Sequence, residues 1–168
     1  MKARKQSVYV ETTIVSYYVS RPSRDLTIAA RQTLTREWWE TKRQDYRVVA
    51  SPAVFREAGM GDADAAKRRI AALTMPDIEV LAPTDRIEEM AIAIRAELDI
   101  PEAKHVDAVH IAYAVVYEVD VLLTWNCAHF ANVDTLKLFA DFCRRGNLWL
   151  PVLCTPYEMS GDEGDVEP

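Results

Sequence analysis

The sequence predicts an α/β protein, a parallel sheet of about five strands with helices on both faces. Two observations carry this. Short apolar runs alternate with amphipathic stretches along the 168 residues, the order that builds parallel sheets. The runs are apolar at successive positions rather than at every second one, as in strands covered on both faces. The length suits one domain, expected over residues 1–157, with 158–168 an acidic and disordered tail.

Each element follows from local signals. Val8-Tyr9-Val10 is the first strand, and Thr12 or Thr13 is placed to cap a short helix running to about Val19. Asp25 to Gln44 reads as one long helix, with Ala30, Leu34, Trp38 and Thr41 three or four apart. "YRVVAS" is a strand; Ser51 and Pro52 are the cap and first position of a helix that stops at Gly59. Asp62 caps the helix after it. "DIEVLAP" is the third strand, and Thr84 caps a helix from Asp85 to about Leu98. "EAKHVDAVHIAYAVVYEV" is a largely apolar helix, expected to lie between the sheet and another element. "DVLLTW" is the fourth strand, Val133 to Arg145 a helix ended by Gly146, and "LWLPVLC" an edge strand, because Pro151 cannot donate to a ladder.

Composition narrows the classes. The apolar fraction is 49% and the charged fraction 27%, ordinary for a soluble globular chain. No run approaches the ~20 apolar residues of a membrane span, and the basic N-terminus is not followed by a secretory apolar segment. A cytoplasmic location is the expectation. Cys127, Cys143 and Cys154 show neither disulfide-framework nor zinc-site spacing. The net charge of −6 is largely a tail property: without Glu158, Asp162, Glu163, Asp165 and Glu167, 21 acids face 20 bases. Between Arg21 and Arg47 seven bases meet four acids, and Lys67-Arg68-Arg69 forms a second basic cluster. Both fit a nucleic-acid contact or a solvated helix face. No GxGxxG follows the first strand, which argues against a dinucleotide site.

In parallel sheets functional groups gather at the carboxyl ends of the strands. That rule collects Glu11 after strand one, Glu57 a turn past strand two, Asn126 after strand four, and Asp107 in the first half of the apolar helix. Each acid alone has a plain reading: Glu11 as a helix cap, Glu57 as surface, Asp107 as a salt-bridge partner. Together, unneutralised, they would repel. A divalent cation removes that cost, and oxygen ligands favour Mg²⁺ or Mn²⁺ over zinc.

The ordered set "VYVETT", "SPAVFRE", "HVDAVHIAYA" and "VLLTWNCAHF" resembles PIN-domain proteins of the VapC toxin type from about Val8 to Leu153. The resemblance implies a Rossmann-like three-layer fold and a metal-dependent ribonuclease, often the toxin of a toxin–antitoxin pair. Carried over by position, its first three acids fall on Glu11, Glu57 and Asp107, its small hydroxyl residue on Thr12 or Thr13, and its fourth acid on Asn126. Two positions depart. Glu11 is one methylene longer than the usual Asp, a shift of about 1.5 Å and of the size that costs about 10²-fold in rate when uncompensated. Asn126 keeps a ligating carbonyl but loses a charge, which lowers the expected metal affinity.

On this reading Glu11, Asp107, Asn126 and Glu57 hold Mg²⁺ or Mn²⁺, Thr12 or Thr13 orients a ligand or phosphate, and Arg21, Arg24, Arg31, Arg36, Lys42 and Arg43 contact RNA. The expected partners are RNA, an antitoxin protein and a second copy in a homodimer, with no membrane. The alternative is a degenerate PIN module that binds RNA or an antitoxin-like partner without cleavage. His110, one turn past Asp107, is a ligand, a base or a core histidine bonded to backbone or carboxylate. His129 reads as a loop residue, Trp38 as core, and Trp125 as core or as a base-stacking group.

Overall fold

The computed structural model describes residues 4–126 and 133–160. Its sheet has five parallel strands in the order β3-β2-β1-β4-β5, as expected. They are β1 Ser7–Val10, β2 Arg47–Ala50, β3 Ile78–Val80, β4 Val121–Leu123 and β5 Val152–Cys154. β1 is central, paired to β2 through Tyr9↔Val49 and to β4 through Val10↔Leu123. Val8, Tyr9, Val10, Val49, Ala50 and Leu123 are fully buried, which explains the unbroken apolar runs. β5 is an edge, as Pro151 implied.

The helices are α1 Thr12–Val19, α2 Leu26–Glu37, α3 Pro52–Ala58, α4 Ala63–Leu73, α5 Asp85–Glu97, α6 His105–Val116, α7 Val133–Arg145 and α8 Pro156–Met159. α1 packs on α2, α3 and α4, while α5 packs along α6 and touches α7. Right-handed crossovers put these two groups on opposite faces of the sheet. The chain leaves β1 toward β2 and β3, then returns to lay β4 on the other side of β1. The crevice at the carboxyl ends of β1 and β4 is therefore the topological switch point, where open α/β sheets bind ligands.

Several local expectations need correcting. The cap of α1 is Glu11, whose side chain accepts from Thr13 N, and not Thr12 or Thr13. Ser51 and Thr84 make no side-chain cap hydrogen bond; the Ser51 hydroxyl is taken by Tyr9 instead. Asp25 and Asp62 do cap, accepting from Ile28 N and Ala65 N. The long helix does not reach Gln44 as one piece. It ends at Glu37, and a π turn over Trp38–Lys42 and a 3-10 turn over Arg43–Asp45 follow. Both Trp38 and Trp39 are buried there, and Arg43 N reaches back to Trp38 O.

The buried face of α2 is also not the expected one. Gln32 and Thr35 turn inward, while Leu26 is 86% exposed. Gln32 earns its place through hydrogen bonds: its amide donates to Ser20 Oγ and Arg21 O and accepts from Ser23 N. The acidic tail starts later than Glu158. That residue lies in α8 and closes a capping box with Thr155. Cys127, His129 and residues 161–168 lie outside the described residues. Burial pushes the Cys143 thiol up to about 11, and burial with the Glu158 charge takes Cys154 to about 12; both are inert free thiols. No helix among the described residues is long and apolar enough to cross a membrane.

Thr35 tests the packing of α2 on the sheet rim. Its fully buried hydroxyl donates to Arg31 O and accepts from Trp125 Nε1 at 2.7 Å. Thr35→Val leaves a buried indole N–H without an acceptor, at an expected cost of about 1–3 kcal/mol. The shift in urea midpoint, with unchanged m-value, measures it.

Candidate active site

A cavity at the switch point is lined by Glu11, Glu57, Asp107 and Asn126, with Thr12 and Thr13 on one wall and Arg69 on another. Its position follows from the fold. Glu11 ends the central strand, Glu57 stands on α3 just past β2, Asp107 on the first turn of α6, and Asn126 just past β4.

Glu11 is buried, 5% exposed. Its Oε2 accepts from Thr13 N at 3.0 Å, Thr13 Oγ1 at 2.5 Å and Thr124 Oγ1 at 2.9 Å. Its own N–H donates to Leu123 O across the β1–β4 pair. The two hydroxyls pass the tie onward: Thr13 Oγ1 accepts from Trp125 N, and Thr124 Oγ1 from Asn126 N. The extra methylene of Glu11 is thus accommodated by a helix N-terminus and two threonines. Thr124 is a site residue that sequence reasoning missed; its signal was a hydroxyl just past the strand that pairs with β1.

Glu57 is held from two sides. Its Oε2 accepts from Thr12 Oγ1 at 2.6 Å and pairs with His110 Nε2 at 2.7 Å. His110 Nδ1 meets the Tyr9 hydroxyl at 2.8 Å, and that hydroxyl meets Ser51 Oγ at 2.6 Å. His110, Tyr9 and Ser51 are all buried. His110 is therefore a core histidine bonded to a carboxylate, one of its expected roles. Burial alone would raise the Glu57 carboxyl, but the His110 hydrogen bond and charge, with Thr12 and Arg56, outweigh it and hold it below the ordinary range. Burial, opposed by the Ser51 hydrogen bond and reinforced by the Glu11 and Glu57 charges, pushes the Tyr9 phenol well above its ordinary range.

Among the described residues the tightest possible ligand group is Glu11, Glu57 and His110, with one ligand atom from each within 4.8 Å of the others. Asp107 lines the same cavity without joining that group. Both His110 nitrogens already have partners, so the histidine serves Glu57 rather than an ion. Asp107 is the opposite case: it is 8% exposed and its Oδ2 is buried with no hydrogen-bond partner among the described residues. A bare buried carboxylate oxygen is costly, and a cation in the cavity would answer it. Carboxylate oxygens with an amide carbonyl are a hard-cation donor set. The residues present fit a divalent ion of the Mg²⁺ or Mn²⁺ kind.

The expected RNA contacts divide. Arg21 and Arg24 are exposed in the turn between α1 and α2, next to the cavity residues Ser20 and Ile28. Arg31 lies over the Trp125 ring, 5.4 Å from its centroid. Arg36 donates to Tyr18 O and Ser20 O, Lys42 to Ser160 O, and Arg43 pairs with Asp77 at 2.6 Å. The last three are fastened to the fold. Trp125 is buried and bonded to Thr35, so it is a packing residue.

The family model of the PIN domain matches residues 8–135. The chain belongs to the PIN-domain family. No curated protein matches it. Among solved structures it is similar to the Mycobacterium tuberculosis VapC20, described as a sarcin–ricin loop cleaving toxin, at 19% identity and TM-score 0.59, covering 74% of this chain and 93% of that one. It is also similar to a chain of a toxin–antitoxin complex from Klebsiella pneumoniae, at 16% identity and TM-score 0.55, covering 89% and 98%.

The hold on Glu57 has a pH signature. A carboxyl lowered on folding contributes stability above the ordinary carboxylate range, and that contribution is lost as pH falls through the lowered value. In metal-free protein, carboxyl-carbon NMR should show Glu57 titrating below an exposed glutamate such as Glu102. His110→Ala should move it upward, because burial then acts with less opposition. An unmoved Glu57 titration would contradict the assignment.

Proposed function

We propose that this protein is a divalent-cation-dependent endoribonuclease that hydrolyses RNA phosphodiesters. The carrying observation is the convergence of Glu11, Glu57 and Asp107 on one cavity, with Asp107 Oδ2 buried and unsatisfied among the described residues. Glu11, Asp107, Asn126 and Glu57 would hold Mg²⁺ or Mn²⁺. When bound, such an ion supplies Lewis acidity and neutralises charge that develops on the phosphate.

The chain's own groups do the rest. Glu57, kept ionised and fixed at Oε2 by Thr12 and His110, orients water and accepts its proton. Thr13 and Thr124 hold Glu11 in one rotamer through three donors to a single oxygen. Arg21 and Arg24 bind phosphates flanking the scissile one, so affinity falls steeply with salt. Arg31 contributes from its place over Trp125. Arg36, Lys42 and Arg43 support this surface by fixing its loops. The same reading makes the protein the toxin of a toxin–antitoxin pair, a cytoplasmic homodimer whose second partner is an antitoxin. The toxin–antitoxin complex of the Klebsiella relative supports that partner.

Cleavage of single-stranded RNA in Mg²⁺ or Mn²⁺ tests the proposal. Asp107→Asn is expected to lower the rate by about 10²-fold or more, as misplacement at a reacting centre does, and EDTA to abolish it. Equal rates in wild type and variant would remove the proposed centre. RNA binding that survives EDTA, with no cleavage in any metal, would favour the non-cleaving alternative.

A further inference from the structure

The basic run Lys67-Arg68-Arg69 on α4 splits in three directions. Lys67 is exposed. Arg68 lines a separate cleft with Tyr18, Arg36 and Glu40. Arg69 stands in the wall of the cavity that holds Glu11, Glu57 and Asp107, the one basic side chain among its described lining residues.

Arg69 is fastened there. Its Nε donates to Ala58 O at 2.9 Å and its Nη2 to Met60 O at 2.5 Å. Both carbonyls lie where α3, the helix carrying Glu57, comes to its end. Among the described residues Arg69 forms no ion pair with an acid. Two of five guanidinium N–H donors are thus spent on backbone, and the rest remain for the cavity.

Charge explains why such a group is needed. Three carboxylates and one guanidinium sum to two negative charges, which one divalent cation cancels. A phosphodiester then adds a further negative charge and gathers more as it is attacked. A cation fixed to backbone carbonyls cannot collapse onto the neighbouring carboxylates, so its dipoles are set before the substrate arrives.

We propose that Arg69 is a catalytic residue that binds the scissile phosphodiester, its free N–H edge donating to a non-bridging phosphate oxygen. The inference rests on the nuclease reading for the reaction, but not for the contact. Its positive charge beside the acids also weakens divalent-cation binding, so loss of the charge should tighten the ion while slowing cleavage.

The test uses the full chain and the variants Arg69→Gln, Arg69→Lys and Arg69→Ala. By calorimetry, Mn²⁺ should bind Arg69→Gln several-fold more tightly than wild type. In EDTA, a single-stranded RNA oligonucleotide should bind Arg69→Gln about tenfold more weakly by fluorescence anisotropy, and Arg69→Lys less so. Cleavage should fall by about 10²–10³-fold in Arg69→Ala, as on loss of one preorganised donor. Millimolar guanidinium should restore part of it, and equal urea should not. A purely structural cap on α3 would lower the melting temperature without tightening Mn²⁺ or responding to guanidinium, and that outcome overturns the proposal. Wild-type RNA and Mn²⁺ affinities in Arg69→Gln overturn it as well. If wild type cleaves no RNA yet both affinities shift as expected, the nuclease reading fails while the phosphodiester contact stands.

Discussion

The constraint on which this structure turns is the placement of a carboxylate at the end of its central strand. Glu11 sits where β1 passes between two neighbours, almost out of water. Its charge is tolerable because three donors meet one oxygen: an amide at the start of α1 and the hydroxyls of Thr13 and Thr124. Those donors come from both sides of the β1–β4 seam. The hydroxyls in turn receive Trp125 N and Asn126 N, so the same network that stabilises the acid sets the chain leaving β4.

A second buried polar chain runs beneath the first. Ser51, Tyr9 and His110 link the ends of β2, β1 and α6 and terminate on Glu57. Each member is out of water, so each needs its partner. The result is a pair of carboxylates held by different means. Glu11 is held by neutral hydroxyls and an amide, Glu57 by an imidazole and one hydroxyl. Asp107 is the exception, with an oxygen that nothing among the described residues satisfies. This difference in satisfaction, rather than proximity alone, separates residues that complete the protein's own packing from one that awaits something else.

The architecture was legible because burial on both faces writes itself into composition. Val8–Val10, Val48–Ala50 and Val121–Leu123 are apolar at every position, and the strand rule then brought Glu11, Glu57, Asp107 and Asn126 to one rim. What escaped was set by contacts across the chain. Nothing near Gln32 shows that its amide would close the loop at Ser20 and Arg21, so periodicity turned the wrong face of α2 inward. The adjacent Trp38 and Trp39 both go inside, which a regular helix, 100° per residue, does not favour; the π turn resolves that locally. His110 was recognised as ambiguous, and its partners Tyr9 and Glu57 lie 101 and 53 residues away. Arg36, Lys42 and Arg43 looked available because their acceptors, two loop carbonyls, Ser160 O and Asp77, are remote in sequence or carry no sequence signal.

The strand order has a further consequence for biosynthesis. β1 is made first, but its second neighbour, β4, is not made until residue 121, and Thr124 comes after that. A ribosome releasing this chain therefore exposes Glu11, then Glu57, then Asp107 long before the seam that organises them can close. The centre is absent from every shorter fragment and arrives all at once, near the end of synthesis, which keeps a growing chain from acting on the message that encodes it.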